Sequence, residues 1–254
     1  MISIMKNKGS LYRVLAIAFA LGLWQLISYL VGQRLLIVSP VEVLLRLGTI
    51  WMEPGFWRTV FFSFTRIISG FLIALITGFF LALLSGKFRF FEMMLRPFVV
   101  TIKSVPVASF IIISLIWLSA RELSIFISFL MVFPVVYMNV LQGIKIVDRK
   151  LVEMAKVFDV GWNRSLLRVY MPSIKPFLIS ACGVGFGMSW KAGVAAEVIG
   201  IPKGSIGERL YEAKIYLNTS DLFAWTVVIV LISVVFEKLF LRLLRAGFGG
   251  LEKL

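Results

Sequence analysis

Residues Glu153 to Pro172 read EMAKVFDVGWNRSLLRVYMP, a polar and basic island in a chain whose remainder is mostly long apolar runs. Leu151, Met154, Ala155 and Phe158 recur at the i, i+3, i+4, i+7 spacing of one helix face. Gly161 interrupts that pattern and predicts a bend. Asn163 is placed to cap a second short helix, with Leu166, Leu167, Tyr170 and Met171 on its apolar side. Pro172 and Pro176 predict a break before the next apolar run begins. Two short helices between apolar runs form a knob suited to being read by a soluble partner.

The composition around this island excludes several classes of function. At 254 residues, 60% apolar, with a mean hydropathy of +0.96, the chain reads as an integral membrane protein. Lys and Arg outnumber Asp and Glu by 27 to 13, and this excess lies between the apolar runs. Positive-inside topology explains it better than nucleic-acid binding, because no basic face is left over to track phosphates. The chain has no histidine and one cysteine, Cys182. That removes an intrachain disulfide and His-based catalysis, and it argues against a zinc site. Asp148, Asp159 and Asp221 lie outside the apolar runs, so no paired intramembrane aspartates arise. No Gly-x-x-x-x-Gly-Lys-Ser/Thr loop is present to hold ATP phosphates.

Taken in order, the apolar runs predict six spans in one domain over 1-254, at about 14-31, 63-86, 99-120, 123-144, 177-201 and 222-241. Lys6, Lys8 and Arg13 precede the first, which reads as an uncleaved anchor rather than a signal peptide. Ser39-Pro40 caps and starts a helix too short and polar to span, and Trp51 and Trp57 suit an interfacial belt. Lys87 to Arg96 marks an inner turn, Pro106 kinks or begins the third span, and Arg121-Glu122 forms a short outer turn. Most Lys and Arg fall on one side if both termini and the 145-175 loop are cytoplasmic; Arg34 counts outside and Lys253 inside.

The knob resembles the Glu-Ala-Ala loop of permease subunits of bacterial ATP-binding-cassette importers. Glu153, Met154 and Ala155 fill its first places, and Val169, Met171 and Pro172 its last. Met154 replaces an Ala, and Asp159 stands where a Gly usually falls, with Gly161 two residues later. Ser63-Phe64-Thr65-Arg66-x-x-x-Gly70-Phe71-x-x-Ala74, Ser39-Pro40-x-x-Val43, Leu95-x-Pro97, Val105-Pro106-x-x-Ala108 and Ala196-Glu197-Val198-Ile199 are similar to the nitrate, sulfonate and taurine branch of that family. A departure is Trp117-Leu118-Ser119-Ala120, where the branch has Trp-Phe-Gly-x-Gly.

The resemblance implies an all-α integral membrane protein of the type I importer permease fold, in a bacterial cytoplasmic membrane. It implies that Glu153, Met154, Ala155, Phe158, Asp159, Gly161, Val169, Met171 and Pro172 couple to a separate ATPase, which carries ATP and Mg; this chain itself is no enzyme and binds no cofactor. Partners would be two ATPase copies, a second permease subunit, expected as a homodimer, and an outer solute-binding protein. The substrate would be a nitrate-, sulfonate- or taurine-like anion, with a thiamine-precursor pyrimidine as the alternative.

Other readings stay open beside it: a passive channel, an ion-driven secondary transporter and a membrane-embedded enzyme. Lys191, Glu197, Lys103 and Arg66 are charges at membrane depth, where a charge faces protein, water or an interface. Each is a candidate for lining a translocation pathway, against a structural partner or an interfacial anchor. Lys191 and Glu197 stand too far apart in helical azimuth to pair directly on one straight helix. Gly183 and Gly187 carry the spacing that allows close helix approach, within the subunit or at a dimer seam.

Overall fold

Long apolar stretches satisfy their own backbone groups only by forming helices when water is absent, and helix is what they form. A computed structural model describes residues 2–33 and 36–251, with side chains from 12 onward except at 13, 163 and 249–251. Arg34 and Lys253 lie outside the described residues, as do the side chains of Lys6, Lys8 and Arg13. The described elements are α1 (Ile2–Val31), α2 (Pro40–Ile50), α3 (Phe56–Lys87), α4 (Arg89–Ser104), α5 (Val107–Ser114), α6 (Ala120–Lys145), α7 (Arg149–Val157), α8 (Trp162–Ser165), a π-helical turn (Leu166–Tyr170), α9 (Met171–Gly200), α10 (Ile206–Ile215) and α11 (Thr219–Leu251). No strand occurs among the described residues.

Among them, four helices are long and apolar enough to cross a membrane, or five if the bent pair α4–α5 is one span. The expected run 222-241 lies within α11. The third expected span, 99-120, is not one continuous helix. Helix already begins at Arg89, within the expected inner turn, and α4 and α5 meet at 102°. The cause is Pro106: its ring pushes Val105 to an extended conformation (φ −84, ψ 134), which ends α4. The outer turn also shifts. Arg121 and Glu122 belong to the first turn of α6, where Ser119 and Glu122 form a reciprocal capping box. The Ser119 that departs from the family pattern therefore has a local role, and the turn itself lies before it.

Pro172 and Pro176 do not break the chain. Pro172 follows directly on the π turn at the start of α9, and helix runs on through Pro176 to Gly200.

The described residues fall into two compact units, one of Met1–Trp57 with Arg209–Val228 and one of Arg58–Glu208 with Ile229–Leu254. In the first, Ser39 caps α2 by accepting from Glu42 N at 3.2 Å, with Pro40 at its start. Arg46 pairs with Asp221 and, at 2.5 Å, with Glu53. The Asp221 hydrogen bond raises the Arg46 pKa above its ordinary value, with Glu53 adding to it and desolvation opposing. Trp24 packs on Phe223 at 5.6 Å and donates to Val38 O at 3.1 Å, while Phe56 stacks on Trp225 at 5.1 Å.

The second unit is built on α6 and α9. Ile127, Leu123 and Ala196 are fully buried between them. Phe71, Phe186 and Phe240 close a ring cluster among α3, α9 and α11, with centroids 4.6 to 5.5 Å apart. The close approaches are made by Gly193, where a Cβ would stand 2.6 Å from Ile67 and 2.7 Å from Ser128, and by Gly185, 3.1 Å from Val132. Gly183 meets only atoms at 3.8 Å, and nothing lies within 4 Å of a Cβ at Gly187. Along α9 the closely packed glycines are thus Gly185, Gly193 and Gly200, on the other side of the helix from the expected pair.

Candidate functional site

The knob is assembled by caps at each of its turns. Asp148 Oδ1 accepts from Lys150 N at 2.9 Å and starts α7. At the far end Asp159 N donates to Lys156 O at 3.1 Å and Val160 N to Ala155 O at 2.8 Å. This pair of bonds is a Schellman closure, which places one residue in the left-handed region. That residue is Asp159, with φ 49. The bend expected at Gly161 is therefore made two residues earlier, at Asp159. Asp is among the few non-glycine residues that adopt this conformation readily, since its short polar side chain bonds locally. Gly161 has no positive φ among the described backbone.

Helix α8 starts at Trp162, so position 163 lies inside it and not at its cap; the side chain of Asn163 is outside the described residues. The chain then widens into the π turn, which spreads the expected apolar side. Leu166, Tyr170 and Met171 are half-buried and Leu167 is exposed. Val169 is also half-buried and Pro172 exposed.

Of the apolar face on α7, only Ala155 turns inward. Leu151, Met154 and Phe158 point out, Phe158 at 74% exposure, with Val157 beside them at 81%. Glu153 and Lys156 are exposed on the same short helix. An outward apolar ridge flanked by charges is unusual on a folded surface unless something covers it. Beneath it, Val152, Lys156, Trp162, Leu166 and Tyr170 line a cavity of about 190 Å³ against Gly86 and Ile144. Trp162 packs on Tyr170 at 5.8 Å, and Lys87, the last residue of α3, places its ammonium 4.6 Å from the Trp162 ring centre. The knob is thereby fastened to the end of α3. In the sequence Lys87 reads only as part of an inner turn and Trp162 does not stand out; a terminal helix lysine with an aromatic in the loop is the signal that could have pointed to their contact.

The charges singled out at depth separate into different roles. Glu197 is fully buried. Ser63 Oγ donates to its Oε2 at 2.6 Å and accepts from Ile206 N at 2.8 Å, while Gly207 N donates to the same Oε2 at 3.3 Å. Two of the quoted motifs, that of Ser63 and that of Glu197, meet here, and together they hold the first turn of α10, whose free N–H groups favour a carboxylate. Ile201, at φ 47, turns the chain so that this closure forms. Glu197 Oε1 and Ser124 Oγ have no hydrogen-bond partner among the described residues. Glu197 thus ties α9 to the start of α10 within the unit.

Arg66, one turn after Ser63, is likewise engaged. Its Nε donates to Arg121 O at 2.8 Å, and its guanidinium lies 3.5 Å over the Phe62 ring. Lys191 is exposed and makes no hydrogen bond or ion pair among the described residues. Lys103 lines a larger cavity between α4 and α6, where its Nζ is 3.4 Å from Met138 Sδ. The four candidates do not converge on one point. Among the described residues no group of His, Cys, Asp and Glu could hold a metal ion.

Comparison with known proteins bears on this arrangement. The family described as binding-protein-dependent transport system inner membrane component matches residues 70–246, a range that includes the knob. The chain is similar to the putative aliphatic sulfonates transport permease protein of Bacillus subtilis, 26% identical over 94% of this chain and 87% of that one. It is also similar to the taurine transport system permease protein of Escherichia coli, 28% identical over 90% and 83% of the two chains. The nitrate import permease protein of Synechococcus elongatus is 26% identical over 82% and 78%.

Proposed function

The chain belongs to the binding-protein-dependent transport system inner membrane components, and from that premise we propose that it is the membrane subunit of an ATP-driven importer of a small oxyanion. The observation that carries this reading is the family match together with the outward apolar ridge of Met154, Val157 and Phe158 on the knob. A sulfonate, taurine or nitrate is the class of substrate named for its relatives.

In this account the chain crosses a bacterial cytoplasmic membrane six times with both termini inside. The 145-175 loop seats on a separate ATPase, which holds ATP and Mg and supplies the hydrolysis. Two such chains pair about a two-fold axis, two ATPases bind below, and a solute-binding protein delivers substrate from outside. The open space beside Gly187 suits the seam between copies, where small residues admit close approach. Exposed Lys191 and cavity-lining Lys103 are candidates for charges along the path. Closure of the ATPases would pull the knob, and the Lys87–Trp162 contact would pass that displacement to α3.

The test is purification of the full chain from its own host, with partners identified by mass. An ATPase is expected to accompany the wild type and to be lost from Met154→Glu with Phe158→Glu, while the variant stays monodisperse. Recovery of the chain without any ATPase, or equal recovery with the variant, would overturn the proposal.

A further inference from the structure

A cavity of about 580 Å³ lies between α4 and the second half of α6 and has no part in the knob. Helix α4 turns Glu92, Arg96 and Lys103 toward it, with Ser104; α6 contributes Gln142 and Lys145. Positions 92, 96 and 103 follow the spacing of a single helix face, so the alignment is a property of the sequence as well as of the fold. Three cations therefore face one carboxylate. Lys145 is paired with Glu92. Arg96 and Lys103 make no ion pair among the described residues, and the nearest polar contact of Lys103 is the thioether of Met138, a weak acceptor.

Two unmatched cations on the wall of a cavity concentrate anions there, because low-dielectric walls focus their field. Arg96 adds a planar fork that matches the oxygens of a sulfonate, sulfate or phosphate. It stands about 10 Å along α4 from Lys103, a separation that two long side chains can close around one group. The amide of Gln142 supplies a further neutral donor at the rim.

We propose that this cavity is a binding site for a tetrahedral oxyanion group, gripped between Arg96 and Lys103. Two sources share that chemistry: a sulfonate passing through the importer, or the phosphate of an anionic lipid headgroup. The site itself follows from the cavity; only the assignment of a transported sulfonate as its natural occupant rests on the importer reading.

The experiment uses the full chain in nanodiscs of neutral phosphatidylcholine, with radiolabelled inorganic sulfate as probe and chloride at matched ionic strength as background. Saturable sulfate binding is expected, displaced by ethanesulfonate and not by chloride. Arg96→Gln with Lys103→Gln should weaken it at least about tenfold, and Lys203→Gln, an exposed residue outside the cavity, should leave it unchanged. Should the double variant fail to fold, Lys103→Gln alone changes one exposed side chain and carries the same test. Nanodiscs doped with phosphatidylglycerol distinguish the sources. One lipid retained per wild-type chain by native mass spectrometry, and lost in the variant, assigns the headgroup; sulfate binding without retained lipid assigns the solute. If neither sulfate binding nor lipid retention depends on Arg96 and Lys103 in a monodisperse variant, the site does not exist. Sulfate binding that persists where the assembled complex takes up no sulfonate would leave the site standing and remove the importer reading; uptake without binding would do the reverse.

Discussion

Ser63→Ala is the most informative single change in the chain, because one hydroxyl closes two bonds in a fully buried place. Removing it leaves Ile206 N–H without an acceptor and takes from Glu197 Oε2 its shortest donor, leaving only the 3.3 Å contact from Gly207 N. A buried polar group stripped of its partner costs about 1–3 kcal/mol. One full orphan and one weakened carboxylate oxygen therefore sum to about 2–4 kcal/mol. Glu197→Gln keeps an oxygen that can still accept from Ser63 and Gly207 and should cost only about 1 kcal/mol. The double change should cost less than the sum, since the two side chains share one bond. Reversible unfolding of the purified chain in mixed detergent measures all three. Ser63→Ala within about 0.5 kcal/mol of wild type, the range of an ordinary surface change, would refute the closure as an anchor of α10.

Four further substitutions test the knob. Phe158→Ala should weaken association with the partner ATPase by about 2 kcal/mol, near thirtyfold in Kd. That figure takes half of the stabilisation from covering about 150 Å² of a ring that is 74% exposed. Surface-immobilised ATPase titrated with permease nanodiscs reads it, and an unchanged Kd would move the docking face elsewhere. Asp159→Gly should stabilise the α7 closure by about 1 kcal/mol, because Gly adopts φ 49 without a Cβ penalty. Gly161→Ala should be near neutral, since nothing lies within 4 Å of its Cβ and its φ is not positive; hydrogen exchange of residues 149–160 compares the two. Lys87→Met should remove a contact of about 0.5–2 kcal/mol between α3 and the knob. Transport per ATP hydrolysed should then fall while ATPase binding is retained, and equal loss of both would contradict a transmitting role.

The long helices were legible because their apolar runs leave little choice, and the Ser39-Pro40 start of α2 was legible because its cap is local. Pro106 marked a break correctly, yet its 102° angle was out of reach: proline fixes where a helix stops, not where the next one points. Reading Gly161 as the bend followed glycine's conformational freedom, whereas hydrogen bonding of Asp159 N and Val160 N to the carbonyls of Lys156 and Ala155 assigns the left-handed position to Asp159. The capping box of Ser119 and Glu122 carried its own signal, Ser-x-x-Glu, and was obscured by expecting a turn there. The Ser63–Glu197 bond spans 134 residues, and no local pattern encodes a partner at that distance. Both motifs were visible, but not that they meet. Lys103 was singled out as an isolated charge, while the cavity it shares with Arg96 needs the angle between α4 and α6.

The most direct test of the account is uptake by the assembled complex. The chain and its accompanying ATPase, reconstituted into proteoliposomes with the solute-binding protein and radiolabelled taurine or nitrate on the outside, should accumulate label only when ATP is enclosed. Met154→Glu with Phe158→Glu should abolish that accumulation. Flux that proceeds without ATP, or that follows an imposed ion gradient, would contradict an ATP-driven permease and identify a channel or a secondary transporter instead.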